Sequence, residues 1–260
     1  MDRRALLDAL RGMDLPEFLV GQFPRLPKDL EGLLIYGSRA RGDAVAGSDL
    51  DVLALVPEAR PSISSADVSV SFYTGGQLDT GVGTLFGAHL GRDSRVVWDP
   101  TGRLESTIGS MGDVDTARLS ERALSMSSLF TTPWWDLPKY LEGMLRQARY
   151  LLRSCLYAQA IDSGSPCFSV REIARRVGDP TLSELLASRR RTSASLSELE
   201  ECLTRLRALV GEFPESTHGS LEATVVNEWG NPGDILSAAY LVLGSSGEGS
   251  VYAEVEKILL

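Results

Sequence analysis

Apolar and polar positions change rhythm near residue 112. Up to that point, short β-branched and leucine-rich runs are separated by glycine-containing turns, which predicts strands at GLLIYG (32–37), LDVLALV (50–56), DVSVSFY (67–73) and SRVVWD (94–99). Beyond it, apolar residues recur three and four apart in TARLSERALSMSSLF, LPKYLEGMLRQARYLLRSCLYAQAI, SVREIARRV and SLSELEECLTRLRALVGEF, with Ser, Asp or Pro at the starts. Leu141, Leu145, Ala148, Leu152 and Leu156 fall on one stripe, as in a helix that buries a face in a bundle. The stretch from Asn227 onward predicts two more short helices broken by a Gly/Ser turn. Ahead of the first strand the chain predicts one or two helices with Leu6, Leu7, Leu10, Phe18, Leu19 and Phe23 facing inward, and Pro24 and Pro27 in the turn into the sheet. The expected fold is an α+β N-terminal domain with a mixed sheet, residues 1–112, followed by an all-α helical bundle, residues 113–260.

One feature breaks the apolar pattern. Asp49 and Asp51 begin the run that continues Val52, Leu53, Ala54, Leu55 and Val56. The two-residue period of a strand places both carboxylates on one face, with Leu50 on the other. Like charges side by side on a half-buried strand repel each other, so a cation or hydrogen bonds must compensate them. A hard divalent cation with oxygen ligands, most simply Mg²⁺, suits that pair. Upstream, Gly37 lets backbone approach a bulky anion and Ser38 offers a hydroxyl and an amide, as a phosphate-holding turn at a helix start requires. Two-metal phosphoryl transfer calls for a third carboxylate, and Asp67, opening the strand DVSVSFY, supplies it.

The turn Gly37-Ser38, the ten-residue gap, Asp49-Leu50-Asp51 and the later Asp67 resemble the nucleotidyltransferase superfamily that includes DNA polymerase beta. The string YGSRARGDAVAGSDLDVLAL looks most like its bacterial branch of minimal and aminoglycoside nucleotidyltransferases, and SRVVWDPTGRL (94–104) resembles the strand and turn closing that domain. The resemblance covers roughly residues 30–104; the helical remainder matches only in kind, as many relatives append a bundle that holds the acceptor. It implies a palm-like fold and an ATP- or other NTP-binding, Mg²⁺-dependent enzyme that moves a nucleoside monophosphate to an acceptor hydroxyl and releases pyrophosphate. In that scheme Asp49, Asp51 and Asp67 bind two Mg²⁺ ions, Asp67 acts as or orients the base, and Gly37 and Ser38 hold the outer phosphates. Arg39 and Arg41 either contact phosphate or pair with Asp43.

Composition narrows the partners. With 43% hydrophobic and 23% charged residues among 260, the chain reads as a soluble globular protein. It has no apolar run of membrane-spanning length, and MDRRALLDALRG lacks the apolar core of a signal peptide, so a cytoplasmic location without membrane partners is expected. The net charge of −9 opposes a nonspecific grip on nucleic acid and favours a small-molecule or protein acceptor. The basic cluster between Arg175 and Arg191 keeps an RNA or tRNA acceptor open, and a regulatory, antitoxin-like module that docks another protein is the reading from a different class. Cys155, Cys167 and Cys202 read as buried free thiols, and His89 and His218 as packing or surface histidines without ligand spacing. Trp134 and Trp135 serve either the core or an aromatic platform for a base or acceptor.

Overall fold

The strand LDVLAL is apolar on both faces apart from Asp51, which is the composition of a strand buried between layers. In the computed structural model, which describes residues 3–131, 137–186, 194–231 and 233–244, that strand lies at the centre of a five-stranded mixed sheet. The chain divides into two compact units, one spanning Met1–Val114 and the other beginning at Asp115.

In chain order the first unit contains α1 (Arg3–Arg11), α2 (Glu17–Gln22), β1 (Gly32–Tyr36), α3 (Gly37–Arg41), β2 (Leu50–Leu55), β3 (Ile63–Ser65) and β4 (Val68–Tyr73). It continues with α4 (Gly75–Asp79), α5 (Leu85–Asp93), β5 (Arg95–Trp98) and α6 (Arg103–Gly109). The strand order is β3-β4-β2-β1-β5. β1 runs antiparallel to β2 and to β5, whereas β2 and β4 are parallel, with Leu50 opposite Val68 and Asp51 opposite Ser69. The alternation of side chains sorts the core into two layers. Leu33, Ile35, Leu50, Val52, Ala54, Val68, Val70 and Phe72 pack with Leu6, Leu10, Leu19, Val20 and Phe23 from the first two helices. On the opposite face Leu34, Leu53, Leu55 and Tyr73 pack with Leu78, Leu90 and Leu104 of α4, α5 and α6.

Besides β3, α4, α5 and α6, and the helices Pro180–Leu185 and Leu221–Glu228 of the second unit, which the sequence pattern did not single out, two details differ from the sequence expectation. Phe18 is 54% exposed, and Val20 takes the inward place beside Leu19. The strand expected from Asp67 starts at Val68, because Ala66 and Asp67 form the two-residue connection of the β3–β4 hairpin, with Ser65 paired to Val68 and Ala66 in the left-handed region at φ 49°.

The second unit is helical among its described residues. It comprises α7 (Thr116–Met126), a 3₁₀ turn (Ser127–Thr131), α8 (Leu137–Asp162), α9 (Val170–Arg176), α10 (Pro180–Leu185), α11 (Leu196–Val210), α12 (Leu221–Glu228) and α13 (Asp234–Leu243). Leu145, Ala148, Leu152 and Leu156 of the expected stripe are buried, Leu141 is half-buried, and Met144, Leu151, Cys155 and Ala158 widen the buried face. The three cysteines are buried and free, and burial pushes the thiol of Cys155 up to about 12 and that of Cys202 up to about 11, so both stay protonated and inert. Trp134 and Trp135, Arg189 to Arg191, and the expected helix beyond Ser245 lie outside the described residues.

Gly143 of α8 lets the backbone of α13 come close, since a Cβ there would stand 2.3 Å from the Val242 carbonyl oxygen. We expect Gly143→Ala to destabilise the helical unit by about 3 kcal/mol, the upper range for overpacking a core. Urea unfolding followed by circular dichroism checks it, and an unchanged midpoint would show that the two helices do not pack this closely.

Candidate functional site

Because β2 and β4 are parallel and β1 runs against them, the end of β1 and the starts of β2 and β4 meet at one edge of the sheet. Tyr36, the last residue of β1, is in register with Asp51. Asp49 immediately precedes β2, and Asp67 immediately precedes β4, where its carbonyl accepts a 2.8 Å hydrogen bond from the Leu50 amide. Continuing the Leu50–Val68 register back by one residue sets Asp67 opposite Asp49. The two-residue alternation then puts Asp49, Asp51 and Asp67 on one face, while Leu50 joins the core of the other. The backbone amide of Asp67 also donates to Oε1 of Gln22 at 3.3 Å, tying the hairpin turn to the end of α2.

Gly37 closes this edge from the β1 side. Its φ of 74° lies in the left-handed region, and a Cβ on it would stand 2.8 Å from Oδ2 of Asp51. Two independent constraints therefore demand glycine: the turn from strand to helix and the approach of a carboxylate to bare backbone. The helix that follows, α3, carries no side-chain cap at its start and ends at Gly42 with φ 84°. Amides in the first turn of a helix lack intrahelical partners and face outward, so Gly37 and Ser38 present donors next to the Asp51 carboxylate.

The two arginines of the GSRAR segment have separate tasks. Arg39 donates from Nη2 to the Ser48 carbonyl at 2.9 Å, fixing the loop just before Asp49. Arg41 pairs through Nε with Asp43 at 3.2 Å and through Nη1 with Asp93 at 3.1 Å. The same Nη1, which can only donate, lies 3.1 Å from Nε2 of His89, and that ring nitrogen also stands 3.6 Å from Oδ2 of Asp93. The His89 ring stands edge-on to Tyr36, with centroids 5.9 Å apart. The phenol of Tyr36 is held far above its ordinary range by burial first and by the Asp51 charge second, so it remains protonated.

Tyr36, His89 and Asp93 were not among the residues expected from the sequence. Tyr36 sits there as the last residue of β1, in register with Asp51, whereas His89 and Asp93 are brought in by the Arg41 contacts across some fifty residues, for which local sequence carries no signal.

The chemistry of the donor set suits a hard divalent cation, since Asp49, Asp51 and Asp67 offer carboxylate oxygens at neighbouring positions of β2 and β4. Among the described residues, however, no group of three or more His, Cys, Asp or Glu side chains is placed to hold a metal ion, so Asp49, Asp51 and Asp67 do not converge as the three-carboxylate site expected from the sequence. Mg²⁺ ordinarily takes one or two carboxylates and fills its remaining positions with water and substrate phosphate oxygens, which is what such a partial set provides.

Residues 20–86, which contain Gly37, Ser38, Asp49, Asp51 and Asp67, match the family model described as "Nucleotidyltransferase domain". The comparison with curated proteins finds no match. Among solved structures, the chain is similar to the spectinomycin adenyltransferase AAD(9) from Enterococcus faecialis, solved with ATP and spectinomycin. There the identity is 12% and the TM-score 0.38, over 93% of this chain and 98% of that one. It is also similar to a toxin-antitoxin structure with AMP-PNP, at 13% identity and a TM-score of 0.25, over 43% of this chain and 84% of that one.

Proposed function

We propose that the protein is a nucleotidyltransferase that moves a nucleoside monophosphate from an NTP to an acceptor hydroxyl and releases pyrophosphate. The observation that carries the reading is the sheet register, which lines up Asp49, Asp51 and Asp67 on one face beside the Gly37–Ser38 turn, inside the segment that matches the family model.

Asp49 and Asp51 would hold Mg²⁺, with Asp67 completing the set. Bound there, the ions would neutralise charge on the triphosphate and lower the pKa of the acceptor hydroxyl. The amides of Gly37 and Ser38, with the Ser38 hydroxyl, bind the outer phosphates. Asp67 takes the acceptor proton, or orients the hydroxyl that loses it, as the acceptor oxygen bonds to the α-phosphorus and the bond from that phosphorus to the β-phosphate oxygen breaks. Tyr36 remains a neutral phenol and adds no further negative charge beside Asp51.

The acceptor is a small molecule or a protein side chain in this reading, held by the helical unit. The net charge of −9 opposes the dense phosphate contacts an RNA acceptor requires. Incubating the protein and Mg²⁺ with each NTP labelled at the α-phosphate, in the presence of aminoglycosides, RNA or cell lysate, tests it. Label in a small molecule or a protein is the expected result. Label confined to RNA overturns the acceptor class, and no label in any fraction from any NTP counts against transfer itself.

A further inference from the structure

Helix α3 has five residues, far below the length at which a helix holds itself in water, so its position depends on what its side chains are fastened to. It is fastened at its middle and at its last residue. Arg39 holds the Ser48 carbonyl, and Arg41, the last residue, reaches α5. The anchor on α5 is Asp93, whose side chain is 5% exposed, while that of Arg41 is 18% exposed. Solvent screens such a pair poorly, so it fixes distance and direction more firmly than a surface ion pair does. Arg92 stands 3.6 Å from the other Asp93 oxygen, and His89, one turn earlier on α5, lies 3.1 Å from the same Arg41 nitrogen and leans on Tyr36. A buried carboxylate on α5 thus sets the far end of the helix whose first turn is Gly37–Ser38.

We propose that Asp93 is a positioning residue for nucleotide binding: through Arg41 it orients α3, so that the Gly37–Ser38 amides meet the triphosphate. This rests on the transferase reading above. It assigns the Arg41 guanidinium to a structural partner rather than to phosphate, and it locates the effect of Asp93 in NTP affinity rather than in the chemical step.

The test is isothermal calorimetry of wild type, Asp93→Asn, Arg41→Lys and the double variant with Mg²⁺ and each common NTP, alongside steady-state kinetics. Asn preserves the shape of Asp93 without its charge. Lys keeps a cation beside Asp93 but cannot bridge Asp93, Asp43 and His89 at once. Each single variant is expected to weaken NTP binding about fivefold, and the double variant to be no weaker than the worse single, as coupled neighbours behave. The KM for NTP rises correspondingly and kcat stays within about twofold, whereas a purely structural role would lower the active fraction and leave KM alone. If Asp93→Asn fails to fold by circular dichroism, Arg41→Lys decides by the same thresholds. Folded variants that bind as tightly as wild type, or more tightly, overturn this inference and leave the transferase reading standing. A wild type that binds no NTP overturns both.

Discussion

Asp51→Asn is expected to lower transfer by about 10³-fold while the protein stays folded. In the proposed reaction, losing the hold of a metal on the triphosphate would remove several kcal/mol of charge stabilisation from the transition state, and each factor of ten corresponds to about 1.4 kcal/mol. The same substitution removes one of two like charges on adjacent same-face positions, so the melting temperature measured without metal should hold or rise. Asp49→Asn should behave alike. Turnover at wild-type level in either variant at saturating Mg²⁺ would show that these carboxylates do not carry the reaction.

Gly37→Ala is expected to be costly for stability and activity together. An alanine at φ 74° pays the left-handed penalty of about 1–2 kcal/mol, and its Cβ would stand 2.8 Å from Oδ2 of Asp51, adding about 1–3 kcal/mol of crowding. The carboxylate must then move off the turn, and transfer should fall at least as far as in Asp51→Asn. A double-mutant cycle separates the two costs. In a background of Asp51→Ala the crowding disappears, so Gly37→Ala should lose only the backbone component, and the difference between the two measurements is the Gly37–Asp51 contact. Equal losses in both backgrounds, measured by urea denaturation, would mean that the two residues do not touch.

The parts of this fold that sequence reveals are those in which local composition and tertiary burial agree. β2 could be read because a strand buried on both faces is a nearly unbroken apolar run, and Asp51 stood out as the charge inside it. β3 could not: Ile-Ser-Ser has one apolar residue, and its pairing to β4 through Ala66 and Asp67 is a property of the hairpin. α5 carries two glycines in nine residues, a poor helical composition. One of them, Gly87, is required because a Cβ would meet the Gly81 carbonyl oxygen at 2.2 Å, a contact that only the folded chain creates. α4 had a legible start in the capping box of Thr74 and Gln77, yet its GGQLD sequence masked it. Of the proposed site, spacing along the chain singles out the Gly37–Ser38 turn and the three aspartates as candidates. It gives no sign of the anchoring by His89 and Asp93, which joins α3 to a helix some fifty residues away.

The most direct measurement uses an NTP carrying ³²P at the α-phosphate and ³³P at the γ-phosphate, incubated with Mg²⁺, the wild-type protein and an accepting fraction. The α label is expected in the acceptor and the γ label in pyrophosphate, in equal amounts, with both signals lost in Asp51→Asn. The γ label appearing in the acceptor, or as free phosphate with the α label left on a diphosphate, would contradict nucleotidyl transfer, because the protein would then be transferring or hydrolysing the terminal phosphate.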